Sequence, residues 1–334
     1  MEQEDRMLTL NVCYAFTDSG GEYYHHVLTS LVSVFENTQS HVCAYILHDD
    51  TVSAQAREDF SLIAQRYGQE VQLRRVPPFS IDISENVWKI FGKGAAYRLF
   101  IPELLTVENV LYLDSDIICE LDIREIFDQD MGEAVVAGVM DSGLCFDPKR
   151  IKRMNKYGID NLKYINSGVL LLNLVQIRNR FPHFASDILG LIAGHTFSYP
   201  DQDAINLYFQ KNHGEIKLLP ERYNFLLSID DRAYLEHEQY QGKILHYTDS
   251  KPWNMSFPAN VHYWKYYARY FSIKETFARI EVLKPTEYAY LFNFILRYPK
   301  VRRMVKRVYS VVEYGLWRTV LKKIGYEFFL KIIC

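Results

Sequence analysis

Two aspartates one residue apart, Asp114 and Asp116 in "NVLYLDSDIICELDI", follow directly on a run of strand-forming apolar residues. A turn at the end of such a strand brings both carboxylates to one ion. Hard oxygen ligands of this kind suit Mg²⁺ or Mn²⁺, which complete their shells with water and a substrate's phosphates. The competing reading is an Asx-turn, or a cap for the helix starting at "REIFDQD". A third candidate ligand, His246, lies far away in "ILHYTDSKPWN", where the apolar "KIL" ahead of it reads as a short strand. Mn²⁺ accepts imidazole beside carboxylates more readily than Mg²⁺ does, so the three together point to manganese; a satisfied polar histidine is the plainer alternative. Lys251, held before Pro252 and Trp253, would set a positive charge against a phosphate. Otherwise it is a solvated lysine in a loop.

These residues need elements to carry them to one place. "LNVCYAF" and "SHVCAYILH" read as buried strands, with "HHVLTSLVSVFENT" between them carrying Val27, Leu31, Val34 and Phe35 at helical spacing. "AQAREDFSLIAQRYG" is a second helix ended by glycine, and "EVQLRRVP" a third strand. The β-α-β-α-β order predicts a mostly parallel, Rossmann-like sheet with helices on both faces, an α/β fold. Such sheets bind ligands at the carboxyl ends of their strands, where strand order reverses. "AAYRLFIPELL" is predicted to be a helix, "NVLYLDSDIIC" a strand whose apolar part stops at Leu113, "YINSGVLLLNL" another buried strand, and "YPDQDAINLYFQ" a polar turn leading into a helix. From about Phe257 the alternation gives way to aromatic and basic helical stretches, so the expected division is a catalytic domain over 1–255 and a helical region over 256–334.

Composition limits the function classes. With 49% hydrophobic and 24% charged residues in 334, the chain is an ordinary globular mixture, and its net charge of −3 offers no general attraction to nucleic acid. The last 34 residues alone hold eight Lys and Arg against two Glu, so the rest carries −9. Val301, Val305, Val308, Val312, Leu316 and Val320 recur at helical spacing there, while Arg303, Lys306, Arg307, Arg318, Lys322 and Lys323 fall on other faces. A basic amphipathic helix over 301–334 lies naturally in an anionic membrane surface; packing on the protein's own core or on another subunit is the alternative. Five scattered cysteines without a C-x-x-C pair favour neither a disulfide framework nor a zinc knuckle. An acidic N-terminus and the lack of an 18-residue apolar run fit a cytoplasmic protein that touches the inner membrane face peripherally.

Four stretches together, "YAFTDSGGEY", "YRLFIPELL…VLYLDSDI", "YINSGVLLLNL…YPDQDAIN" and "ILHYTDSKPWN", resemble glycosyltransferase family 8 in order and approximate spacing, over roughly residues 10 to 255. That family includes bacterial lipooligosaccharide galactosyl- and glucosyltransferases and glycogenin. The resemblance implies an A-type glycosyltransferase fold with a C-terminal helical extension, a UDP-sugar donor, Mn²⁺ with Mg²⁺ as the alternative, and transfer with retention of anomeric configuration. It makes Asp114, Asp116 and His246 the metal ligands, and Lys251 the contact to the diphosphate. The family's H-x-x-G-x-x-K-P-W motif is one residue shorter here, with Asp249 near the usual glycine. Ala15, Phe16, Thr17 and Asp18 match the uridine loop, Tyr23 is the candidate to stack on the base, and Ser115 lies within the D-x-D.

The resemblance further assigns Lys93 and Arg98 to the diphosphate or donor sugar, Asn166 and Asp201 to the hexose hydroxyls, and Gln202 to the neighbourhood of the anomeric carbon. A partner role with Glu103 is the competing reading for Arg98, and Asp203 is read as a cap for the helix that follows. The expected activity is transfer of galactose or glucose from a UDP-hexose to a glycan or lipid-linked glycan acceptor, in lipopolysaccharide, capsule or glycoprotein glycan assembly. A metal-dependent phosphohydrolase and a nucleotide-sugar-binding protein without turnover are the rivals. The acceptor stays open, because acceptor contacts fall in variable loops such as "GLCFDPKRIKRMNKYGIDNLK".

Overall fold

The structure is a computed structural model and describes residues 9–79, 83–227, 240–248, 251–254 and 261–271. The amphipathic stretch over 301–334, and with it the expected membrane contact, lies outside the described residues. Among those described, no helix is long and apolar enough to cross a membrane.

Ten strands are described: β1 Leu10–Ala15, β2 Val42–His48, β3 Glu70–Arg75, β4 Asn109–Leu113, β5 Ile117–Cys119, β6 Val136–Met140, β7 Ile165–Asn173, β8 Ile216–Leu219, β9 Phe225–Leu226 and β10 Ile244–His246. Seven form one sheet in the order β3-β2-β1-β4-β7-β6-β8, and β5-β10-β9 form a small second sheet. The local choices agree with the pattern in the chain. β2 is buried at every position, as a strand covered on both faces must be. The helix Tyr24–Asn37 buries Val27, Leu28, Leu31, Val34 and Phe35. The helix Ala54–Tyr67 starts on Ser53, whose side chain accepts from the Ala56 N–H, and ends on Gly68 at φ 62°, a left-handed cap that glycine adopts without strain.

The chain moves outward from β1 to β2 and β3, then returns to lay β4 on the other side of β1. This reversal puts the carboxyl ends of β1 and β4 at the switch point, where ligands of such sheets bind. β7 alone runs against its neighbours, pairing antiparallel with both β4 and β6. Its first residues therefore meet the carboxyl ends of the others, and the Asp114 N–H donates to the Gly168 carbonyl at 2.9 Å.

Three expectations change in detail. "AAYRLFIPELL" is not one helix but three short pieces, Lys93–Ala96, a 3-10 turn Tyr97–Phe100, and Ile101–Leu104; Pro102 cannot donate to the turn before it and forces a restart. "YPDQD" is not a turn ahead of a helix, since the helix Pro200–Lys211 begins at the proline and holds Asp201 and Asp203 in its first turn. The stretch read as a variable loop contains the helix Pro148–Tyr157, capped by Asp147, and begins inside the helix Ser142–Cys145, capped by Asp141. The four described cysteines, Cys13, Cys43, Cys119 and Cys145, are buried and unpaired.

The described residues fall into two compact units. The first holds both sheets. The second holds Leu227 and the described residues from Tyr247 onward, including the 3-10 turn Pro252–Asn254 and the helix Val261–Tyr270.

Candidate active site

Asp114 and Asp116 flank the bend between β4 and β5, and β5 pairs with β10 so that Ile117 lies opposite His246. This pairing draws a histidine from late in the chain to the two aspartates. One ligand atom from each of Asp114, Asp116 and His246 lies within 4.8 Å of the others. His246 Nε2 stands 3.5 Å from Asp116 Oδ1 and 4.0 Å from Asp114 Oδ2. Two ligands on one ion at about 2.1 Å lie about 3 to 4.2 Å apart, and both histidine–carboxylate separations fall in that range. The capping alternative for the D-x-D fails, because Asp122 accepts from the Arg124 N–H at the start of the next helix.

Arg98 anchors the neighbouring wall. Its guanidinium reaches Asp114 Oδ1 at 2.9 Å, Asp201 Oδ2 at 3.4 Å and the Ser167 carbonyl at 2.9 Å, and it lies over the Tyr112 ring at 4.6 Å. Glu103 is not its partner. Burial by itself would lower the Arg98 pKa, but Asp114, Tyr112 and Asp201 outweigh it and hold the group charged. Asp114 Oδ1 also accepts from the Tyr112 hydroxyl at 2.6 Å, which turns Oδ2 toward His246. Three carboxylates, Asp114, Asp116 and Asp201, face one guanidinium, and the formal balance of −2 matches one divalent ion. Burial pushes the Asp201 carboxyl above the usual carboxylate range, against the pull of Arg98.

Asn166, Asp201 and Gln202 meet where β7 begins. Gln202 Oε1 accepts from the Ser167 N–H at 3.0 Å, and its Nε2 donates to Asp141 Oδ2 at 3.0 Å and to the Tyr164 hydroxyl at 3.2 Å. Asn166 Nδ2 donates to the same Asp141 oxygen at 3.1 Å. Asp203 does not cap the helix from outside but sits in its first turn and reaches back, its Oδ2 accepting from the Ser198 and Tyr199 N–H groups ahead of the helix at 3.0 and 3.1 Å.

The loop after β1 forms the other wall. Phe16 and Asp18 are buried, while Ala15 and Thr17 are half-buried. Asp18 Oδ1 accepts from the Tyr23 N–H at 2.7 Å, and among the described residues its buried Oδ2 has no hydrogen-bond partner. Burial raises the Asp18 pKa, with the Tyr23 and Tyr24 N–H groups opposing. The Tyr23 ring stacks beside Phe16 at 6.1 Å, and its hydroxyl meets Ser115 Oγ at 2.6 Å, joining this loop to the D-x-D. Lys93 is exposed, one residue before Gly94, where a Cβ would stand 2.8 Å from the Thr17 nitrogen. Lys251 belongs to the second unit, where its carbonyl accepts from the Asn254 N–H.

Sequence reasoning missed Tyr112, Asp141, Tyr164, Ser167 and Asn224. Asn224, fully buried, meets His246 Nδ1 at 2.9 Å and has no motif around it to mark it. Ser167 and Gly168 stood inside the quoted "YINSG"; a Cβ on Gly168 would lie 2.3 Å from His246 Cε1, so that glycine is a signal the stretch did contain.

The family model for glycosyl transferase family 8 matches residues 12–256. The chain belongs to that family. Among curated relatives, a lipopolysaccharide 1,2-glucosyltransferase of Escherichia coli is 25% identical over 266 residues, covering 75% of each chain. Glycosyltransferase GlyB of Streptococcus pneumoniae serotype 4 is 28% identical over 230 residues, 63% of this chain and 50% of that one. Among solved structures, the galactosyltransferase LgtC with donor and acceptor sugar analogues matches with a TM-score of 0.60 at 18% identity, covering 84% of this family 8 chain and all of that one. The apo bifunctional glycosyltransferase WbbM matches with a TM-score of 0.64 at 18% identity, and the match covers 84% of this chain and 53% of WbbM. These likenesses establish the A-type glycosyltransferase fold.

Proposed function

We propose that this family 8 glycosyltransferase is a retaining hexosyltransferase that moves galactose or glucose from a UDP-hexose to a glycan acceptor, in the assembly of lipopolysaccharide or a related cell-surface glycan. The observation that carries the reading is the convergence of Asp114, Asp116 and His246 beside the Arg98, Asp201 and Gln202 wall. Asp114, Asp116 and His246 would hold Mn²⁺, with Mg²⁺ as the alternative. When bound, such an ion neutralises the donor's diphosphate and stabilises the charge on departing UDP. The similarity to a lipopolysaccharide glucosyltransferase supports the acceptor class.

The chain's own groups divide the remaining work. The loop Ala15–Asp18 and Tyr23 bind uridine, with Tyr23 as the stacking ring, Ser115 beside its hydroxyl, and the open acceptor on Asp18. Lys93 and Lys251 contribute positive charge to the diphosphate. Arg98 fixes Asp114 and Asp201, while Asp201 and Asn166 hydrogen-bond the hexose. The Gln202 amide is engaged at both its oxygen and its nitrogen and is a poor nucleophile. A front-face route, with the acceptor hydroxyl entering on the side UDP leaves, asks only for positioning and charge stabilisation. Membrane contact through 301–334 would bring the site to a lipid-linked acceptor; truncation before Val301 should then lower membrane recovery without changing UDP-sugar hydrolysis.

Labelled UDP-glucose and UDP-galactose, titrated with Mn²⁺ and then EDTA, test the reading. Metal-dependent hydrolysis, with product of unchanged anomeric configuration by NMR, is expected. Absence of metal-dependent UDP-sugar binding overturns it, an inverted product overturns retention, and binding without turnover favours a nucleotide-sugar-binding protein. Hydrolysis of simple phosphate esters would favour the phosphohydrolase, for which only one metal-type cluster exists among the described residues.

A further inference from the structure

We propose that Asn224 is a positioning residue that fixes the proton of His246 on Nδ1, leaving Nε2 as a lone pair aimed at Asp114 and Asp116. The purpose of this device rests on the metal-site reading above. Its logic starts from groups whose hydrogen-bonding sense is not open to choice, since the two ends of a carboxamide have nearly the same shape. The Gly168 N–H is a backbone donor, and it lies 2.9 Å from Asn166 Oδ1. Asp141 is an acceptor when ionised, and its Oδ2 lies 3.1 Å from Asn166 Nδ2. Both fixed partners give the Asn166 amide the same orientation.

The next link follows from that one. Asn224 meets Asn166 Oδ1 at 2.9 Å, and only its Nδ2 can donate there. Its Oδ1 is then the atom 2.9 Å from His246 Nδ1, and an amide oxygen only accepts. Nδ1 must carry a proton. In the neutral ring Nε2 is left with its lone pair, and Nε2 is the nitrogen that stands 3.5 Å from Asp116 and 4.0 Å from Asp114. Asn166, Asn224, Asp141 and His246 are each no more than 6% exposed, which limits the competition of water for these bonds. The relay joins the starts of β7 and β9 to the end of β10. It prepares an imidazole for a cation before any cation arrives, as a hydrogen-bonded partner behind a metal-binding histidine does.

Two measurements test it. Long-range ¹H–¹⁵N spectra of metal-free protein labelled in histidine, with His246 assigned by His246→Gln and recorded where the ring is neutral, should show the proton on Nδ1. A proton on Nε2 in the wild type overturns the proposal, whatever the protein does with metal. Mn²⁺ titrations followed by EPR should show about 10- to 100-fold weaker binding in Asn224→Leu. Asn224→Asp keeps an acceptor behind Nδ1 and should bind Mn²⁺ within a few-fold of wild type, although it loses the donor to Asn166 and melts earlier. Equal loss of affinity in both variants would make Asn224 a merely structural residue. If the wild type shows the Nδ1 proton but binds no Mn²⁺, the metal-site reading fails and the tautomer assignment stands.

Discussion

Gly168→Ala is the most exacting perturbation of this site, because it adds one methyl group and removes nothing. The new Cβ would stand 2.3 Å from His246 Cε1, 2.9 Å from Asp114 Oδ2 and 3.0 Å from His246 Nδ1. Non-bonded carbons settle at about 3.5–4.0 Å, so the ring must retreat by more than about 1 Å or the strand must shift. Neither is easy: His246 is 4% exposed and tied to Asn224 at 2.9 Å, and the Gly168 carbonyl is bonded to the Asp114 N–H. Overpacking of this kind costs about 1–3 kcal/mol of stability, measurable by urea denaturation. Displacing the imidazole should also weaken Mn²⁺ binding by about 10- to 100-fold, or about 1.4–2.7 kcal/mol, as read by EPR titration. Gly190→Ala is the control, since nothing lies within 4 Å of its Cβ and its helix should gain up to about 1 kcal/mol. Wild-type metal affinity and turnover in Gly168→Ala would refute the geometry derived for the three ligands.

Further expectations concern single charges. Asp116→Asn should abolish metal-dependent UDP-sugar hydrolysis while circular dichroism and Tm stay near wild type, as a ligand is lost but little packing; retention of most activity would refute the assignment. Arg98→Met leaves the half-buried Asp114 and Asp201 without their cation and should cost at most about 3–5 kcal/mol in urea, while Arg98→Lys restores charge without the planar fork and recovers only part of it. Asp18→Asn should weaken UDP binding in calorimetry yet raise Tm at pH 7. Its carboxyl pKa is raised in the folded state, so folding disfavours the charge once pH exceeds the ordinary carboxylate range, and the Tm gain should vanish in acid where both states are protonated. Burial pushes the Cys119 and Cys145 thiols up to about 12, so both should resist alkylation at pH 8 until the protein unfolds, as peptide mapping would reveal.

The first three strands, β4, β7 and the place of the D-x-D were legible in the sequence because each rests on a local signal, whereas β6 and β8 carried none that was read. Periodicity marked the first three strands and two helices, a serine and a glycine marked the ends of Ala54–Tyr67, and the arrest of apolar residues at Leu113 marked the strand end. His246 was legible as a candidate, though the partner strand that delivers it, β5, is only three residues long and was read as the continuation of β4. The antiparallel course of β7 was not legible, since a buried strand reads the same in either direction. Asn224, Asp141 and Tyr112 were hidden for a related reason: their roles come from which segments the sheets lay side by side. Pro102 is visible in the chain, and its missing N–H is what divides "AAYRLFIPELL" into short turns.

The alternation of β7 also governs how this enzyme can change length. Ser167 reaches Asp201 through its hydroxyl, whereas Asn166 and Gly168, on the opposite face of the pleat, serve Asn224 and His246. A single residue inserted between Asn166 and Gly168, or a slip of one position against β4, would turn each side chain toward the other's partners. The two halves of the site would be lost together, with no half-working intermediate. Variation in length must therefore enter before Ile165 or beyond Asn173, and the few residues between Tyr164 and Val169 act as a fixed ruler around which the rest of the fold can diverge.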